Sequence, residues 1–217
     1  MIGVVIPARN EEVLLGTCLD AVLCAASHPL LAEEKVLIIV VLDACGDRSA
    51  EIAFERGIAT EVSTAGLVGA ARAIGAARVI EAGARWIACT DADTVVAPDW
   101  LAAQLGLGAD VVCGTVGVDD WSHHSPAVRR RYIENYLDAD GHRHVHGANL
   151  GIATHAYERA GGFPPFAFDE DVALVRALQA IGANIAWSAA PRVTTSARAE
   201  SRAPSGFACH LALLAAG

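Results

Sequence analysis

The chain has 217 residues, 53% hydrophobic and 19% charged, with a formal charge of -9. That composition excludes a disordered chain, and the length allows one domain with a large buried core. The acidic balance, with Arg129-Arg130-Arg131 as the basic run, argues against a nucleic-acid or anionic-membrane surface, because a phosphate polymer would be repelled.

In chain order, Ile2 to Ile6 reads as a buried strand and Glu11 to Ala26 as a helix with Val13, Leu14, Cys18, Leu19, Val22 and Leu23 inward. Val36 to Leu42 lacks polar alternation, which predicts a strand buried on both faces, as parallel sheets require. A helix over Ser49 to Arg56, a short strand over Ala59 to Ser63, a helix over Gly69 to Glu81 and a strand over Trp86 to Thr90 complete a β-α-β-α-β-α-β series. The second half is less regular: a strand over Asp110 to Val118, an amphipathic helix over Pro126 to Leu137, a strand over Val145 to Thr154, an acidic helix from Asp169 to Gln179 and a last strand over Asn184 to Trp187. The expected fold class is α/β, a Rossmann-like doubly wound, mainly parallel sheet with a smaller mixed second half.

Six cysteines form no C-x-x-C pair and sit mostly in apolar contexts, so reduced thiols and a cytoplasmic location are expected. A first strand entered at Ile2 leaves no room for a signal peptide, and the longest apolar run is too short to span a membrane. The closing segment from Phe207 to Ala216 is a plausible contact for a homodimer or a partner protein. One lysine against fifteen arginines reads as compositional bias.

Chemistry concentrates where strands end, the rim at which open parallel sheets bind ligands. Trp86-Ile-Ala-Cys-Thr-Asp91-Ala-Asp93 is an apolar run closing on two carboxylates. They suit a divalent cation that takes its other ligands from water and substrate phosphate, although aspartates after a strand are also ordinary turn residues. Arg9 and Glu11 after the first strand and Asp43 after the second reach the same crevice.

Four blocks in order make the chain resemble the family 2 glycosyltransferases of the GT-A fold over nearly its whole length. They are Val4-Val-Ile-Pro7-Ala-Arg9-Asn10-Glu11-Glu12, Val40-Val-Leu-Asp43, Gly69-Ala-Ala-Arg72-Ala-Ile-Gly75 and Thr90-Asp91-Ala-Asp93. The resemblance implies one GT-A domain, with residues 1–100 binding a nucleotide-diphosphate sugar and 101–217 the acceptor. It implies that Pro7, Arg9 and Glu11 line base and ribose, that Asp43 reads the nucleobase and that Arg72 lies near the nucleotide. Asp93 would hold Mn2+ or Mg2+, with Asp91 toward the ribose and metal. Downstream, Gly147-Ala-Asn149, Gly161-Gly162-Phe163 and Glu170-Asp171 resemble the acceptor-side block, whose acidic pair contains the general base. Asp171 is the candidate base and Glu170 an orienting residue, and the implied transfer inverts C1.

An acceptor hydroxyl has a high pKa, so a carboxylate taking its proton in the transition state is useful, while a divalent ion stabilises the leaving diphosphate. Negative charge in the first turn of a helix is the competing account of Asp169, Glu170 and Asp171. Arg72 reads nearly as well as a surface helix arginine, and Arg198 and Arg202, four apart, could close over the diphosphate but read rather as solvated tail charges. His142, His144 and His146 would share one face of a strand, a polar face more than a metal cluster, although one of them, or His210, could complete the ion's shell. Trp121 could stack on a sugar, whereas Trp86, Trp100 and Trp187 read as core. Asp91-Ala-Asp93-Thr-Val also fits a haloacid-dehalogenase-like phosphatase, and a non-catalytic nucleotide-sugar-binding subunit stays open. The acceptor is expected to be soluble, and its identity and the nucleotide are not legible.

Overall fold

The computed structural model describes residues 1–197. Its strands are β1 (Ile2–Ala8), β2 (Val36–Asp43), β3 (Ala59–Ser63), β4 (Trp86–Cys89), β5 (Thr94–Val96), β6 (Val111–Gly114), β7 (Leu150–Ala153), β8 (Ile185–Ser188) and β9 (Val193–Thr195). Its helices are α1 (Leu15–Ala26), α2 (Ser49–Glu55), α3 (Val68–Glu81), α4 (Trp100–Gly106), α5 (Pro126–Asn135), α6 (Thr154–Arg159) and α7 (Glu170–Ala180). Seven strands form one sheet in the order β3-β2-β1-β4-β7-β6-β8, and β5 pairs with β9 in a separate antiparallel ribbon. The β3-β2-β1-β4 half is parallel, whereas β7 runs antiparallel to both β4 and β6.

Alternation along the central strands builds two cores. Ile2, Val4 and Ile6 of β1 face α1 with Leu15, Cys18, Leu19 and Val22, on the side that also buries Ala53 of α2 and Trp100 and Leu101 of α4. Val5, Ile39, Val41 and Ile87 face the other way, onto α3, α6 and α7 with Val79, Tyr157, Leu174 and Leu178. The expected continuous apolar runs are therefore strands covered on both faces. Helix α3 lies close to the sheet, because a Cβ at Gly75 would run into Val5 and Val41, and one at Gly3 into Val79.

The departures from the sequence reading have local causes. Helix α1 starts at Leu15 rather than Glu11, since the Glu11 carbonyl accepts from Leu14 and Leu15 in a turn while Glu11 and Glu12 are tied to the loop after β2. Val13 lies on that turn and is 80% exposed, not inward. Strand β6 ends at Gly114, where the Asn149 side chain occupies the space above the glycine and donates to the Thr115 carbonyl. Strand β7 is confined to Leu150–Ala153, because residues 147–149 form a single 3-10 turn and Thr154 opens α6. Helix α5 ends at Asn135, two residues short of expectation, and is capped by Ser125, whose hydroxyl accepts from the Val128 N–H. The ribbon of β5 and β9, together with α4 and α6, was not anticipated; these pieces are too short to show periodicity. Among the described residues no helix is long and apolar enough to cross a membrane.

Candidate active site

Two loops at the carboxyl rim are knitted by backbone donors. The Asn10 side-chain oxygen accepts from Gly46 N–H at 2.8 Å, Asp47 accepts from Glu12 N–H at 2.8 Å, and Glu12 accepts from Arg48 N–H at 3.1 Å. Glu11 is buried, its N–H donating to Ser49 Oγ at 2.9 Å. These contacts fix the turn after β1, where Asn10 holds a left-handed φ of 54°, against the turn after β2. Pro7 lies near the end of the β1 register opposite Val41, and exposed Arg9 reaches the Gly66 carbonyl at 3.5 Å.

Asp43, at the end of β2, is buried, and its Oδ1 accepts from Ser63 Oγ at 2.7 Å and Gly66 N–H at 3.0 Å. Parallel register sets Asp43 directly opposite Ser63 of β3. Ser63 was not foreseen as part of the site, although aligning the two strand ends would have found it.

After β4 the chain turns at once, Thr94 N–H donating to the Asp91 carbonyl at 3.1 Å, so the two aspartates diverge. Asp91 projects onto Arg72, Oδ1 to Nη2 at 2.5 Å. Asp93 is half-buried toward the β5–β9 ribbon, its Oδ1 lying 3.4 Å from Thr94 Oγ1 and 3.5 Å from Thr195 Oγ1. Cys18 of α1 underlies the turn, donating to the Asp91 carbonyl at 3.3 Å, and burial pushes its thiol far up, out of reach of ionisation.

Arg72 departs from the surface setting that was one of its two readings. It is 2% exposed, so it is no surface arginine. Its Nε donates to Glu170 at 2.9 Å, its Nη1 to the Gly147 carbonyl at 2.9 Å and its Nη2 to Asp91. Burial opposes its charge, but Asp91 and Glu170 outweigh that and hold it above the ordinary arginine value. Gly147 N–H donates to Asp171 Oδ2 at 2.6 Å, and Val172 N–H to Asp171 Oδ1 at 2.8 Å. Burial pushes both Glu170 and Asp171 above the usual carboxylate range, against the pull of Arg72 and, for Asp171, of its two backbone donors. Asp169 turns the chain into α7 with a left-handed φ of 58°, and Glu170 at its first position faces inward, more than helix-terminal charge requires. The role of Gly147 was hidden: it was visible as part of a block, but nothing in its spacing announced the bridge.

Asn149 is fully buried and accepts from Trp100 Nε1 at 2.9 Å, while its amide donates to the Thr115 and Pro191 carbonyls, each at 2.8 Å. Trp86 and Trp100 are core as expected, but Trp121 packs on Tyr132 and donates to the Val118 carbonyl. The three alternating histidines are not on a strand. His142 is 1% exposed, and the rings of His142, His144 and His146 stack in series beside Tyr136. Arg198, Arg202, His210 and the Phe207 to Ala216 segment lie outside the described residues.

The described residues hold no group of three or more His, Cys, Asp or Glu able to cage a metal. A half-buried carboxylate at Asp93, flanked by two threonine hydroxyls, still fits a hard divalent cation whose remaining ligands are water and phosphate.

A sheet ordered β3-β2-β1-β4-β7-β6-β8, with an acidic turn after β4, defines a GT-A architecture, and solved structures bear this out. S. aureus TarS residues 1–349, in complex with UDP-GlcNAc, is similar at a TM-score of 0.68 and 15% identity, covering 99% of this chain and 65% of that one. Glucosyl-3-phosphoglycerate synthase from Mycobacterium tuberculosis, in complex with phosphoglyceric acid, is similar at 0.62 and 17% identity, covering 91% and 72%. The same enzyme with Mn2+, UDP and glucosyl-3-phosphoglycerate gives 0.62 and 16% identity over 91% and 72%. The chain thus spans just under two thirds of TarS 1–349. No curated protein matches it in sequence. Residues 3–158 match the glycosyl transferase family 2, and the chain belongs to that family. The acidic turn lies after the fourth strand of a glycosyl transferase family 2 chain, which sets aside the phosphatase alternative.

Proposed function

We propose that the chain transfers a glycosyl group from a UDP-sugar to an acceptor hydroxyl, with a divalent cation and inversion at C1. The observation that carries this is the cluster of Asp91, Arg72, Glu170, Gly147 and Asp171, which sets a carboxylate of raised pKa beside the D-x-D turn. UDP is favoured because the similar TarS and synthase structures hold UDP or a UDP-sugar.

Pro7, Arg9, Glu11 and Asp43 bind the nucleotide in the crevice between the first two loops, which hydrogen bonds cross-link. Asp93 would hold Mn2+ or Mg2+, which would supply charge stabilisation for the leaving diphosphate, while Asp91, turned onto Arg72, lies on the donor side. Asp171 accepts the acceptor's hydroxyl proton as that oxygen bonds to C1; the C1–O bond breaks and its electron pair leaves on the diphosphate. A raised pKa makes Asp171 a better base than a free aspartate, and its two backbone donors keep it aimed. The acceptor is a soluble hydroxyl compound. The five described cysteines are free thiols, which suits a reducing compartment such as the cytoplasm.

The test is a thermal-shift panel of UDP, GDP and dTDP with their sugar conjugates, with and without Mn2+ or Mg2+, on wild type and Asp93→Ala. A ligand that binds only the folded chain raises its midpoint. The expected result is metal-dependent stabilisation by UDP and a UDP-sugar, lost in Asp93→Ala. Indifference to every nucleotide would overturn the proposal.

A further inference from the structure

We infer that Arg72 is a positioning residue that couples the donor-side carboxylate Asp91 to Asp171, acting through Glu170 and Gly147; this rests on the reading of Asp171 as the base.

The guanidinium is engaged at all three nitrogens, each with a partner from a different segment. Nη2 holds Asp91 after β4, Nε holds Glu170 at the start of α7, and Nη1 holds the Gly147 carbonyl. Gly147 is gripped from both sides, because its own N–H donates to Asp171. Asp171 is thus tied to Arg72 twice, once along the chain from Glu170 and once across Gly147. At 2% exposure the guanidinium is shielded from a bound diphosphate, so its influence on the donor runs through Asp91.

The geometry needs both an arginine and a glycine. A planar fork fixes three acceptors in fixed directions, whereas a lysine ammonium is one mobile point charge. A Cβ at Gly147 would run into the Arg72 guanidinium, although Gly147 has no left-handed φ to explain its identity. The glycine is therefore there to let the guanidinium close on the backbone. A shift of Asp91 on donor binding would be carried to the carboxylate that takes the acceptor proton, so the base is set only when the donor side is set.

The test uses the full chain, 15N-labelled, with UDP and Mg2+ as the probe, and the rate of UDP release from UDP-GlcNAc or UDP-glucose, with water in place of the acceptor. The Gly147 amide resonance is expected to move on adding UDP and Mg2+ to wild type and to stay still in Arg72→Lys that still binds UDP. Gly147→Ala, which keeps every charge, is expected to lower kcat about 10- to 100-fold, as loss of an orienting partner does, with donor KM within about threefold. Combined with Asp171→Asn it should add nothing to the loss from Asp171→Asn alone. A Gly147 resonance unmoved in wild type, or moving equally in Arg72→Lys, overturns the coupling. So does Gly147→Ala with a wild-type kcat, or a loss confined to KM. Should Gly147→Ala not fold, the amide comparison decides alone. A wild-type rate in Asp171→Asn alongside a responsive Gly147 amide instead overturns the base reading and leaves the linkage standing.

Discussion

Replacing Arg72 with methionine keeps much of the side-chain volume and removes the charge, and its cost follows from what remains. Glu170, 4% exposed, loses its cation, and the Gly147 carbonyl loses a donor; half-exposed Asp91 turns to water. Breaking a buried pair from one side costs about 3–5 kcal/mol, roughly 6–20 °C in midpoint for a chain of this size. The penalty depends on pH with a definite sign. Glu170 and Asp171 already sit above their unfolded values, and Arg72 is what pulls them down. Without it both rise further, so the folded variant binds protons more tightly than the unfolded chain. A raised folded-state pKa gives stability that is present below the unfolded value of about 4 and lost as pH rises through the folded one. The penalty should therefore be smaller at about pH 5 than at about pH 8. Urea unfolding followed by circular dichroism, with wild type and Arg72→Met at both pH values, measures it. A penalty under about 1 kcal/mol at the higher pH, or one equal at both, refutes the argument from buried unpaired carboxylates.

Asn149→Ala strands Trp100 Nε1, the Thr115 carbonyl and the Pro191 carbonyl in the interior; at about 1–3 kcal/mol for each unmet group, urea unfolding should show a loss of at least about 3 kcal/mol. Asp43→Asn should weaken UDP binding about tenfold, or about 1.4 kcal/mol, by calorimetry, and an unchanged Kd would remove Asp43 from the nucleotide site. At Gly69 a Cβ would meet the backbone of Pro164 and Phe166, so Gly69→Ala should destabilise by about 1–3 kcal/mol through overpacking; a neutral result in the same urea titration would mean that the 164–166 segment yields freely.

Much of the first half was legible because burial on both faces leaves a plain trace. Val36 to Leu42 is apolar throughout since Ile39 and Val41 meet α3 while Ile38, Val40 and Leu42 meet α1 and α2. The strand ends were legible for the same reason: where such a run stops at Asp43 or Asp91, the carboxylate stands at the rim. The second half was less so, because its strands are short and bounded by side chains from elsewhere. Nothing in the residues around Thr115 dictates that β6 stop at Gly114; the cause is Asn149, which reaches that strand end from a distant part of the chain.

Arg72 shows the limit more sharply. On its helix it is one of two arginines in an Ala-rich stretch, and helical spacing cannot say whether it faces water or the sheet. Its environment is decided by topology. Strand β4 lies between β1 and β7, so the turn after it stands over the first turns of α3 on one side and the 147–149 turn on the other. That brings residues 72, 91, 147 and 170 together, and the charge of an internal cation offsets that of buried Glu170 and half-exposed Asp91. The acidic residues could be read as candidates one at a time, but the reason they coexist is the arginine, and the arginine becomes intelligible only once the strand order is known.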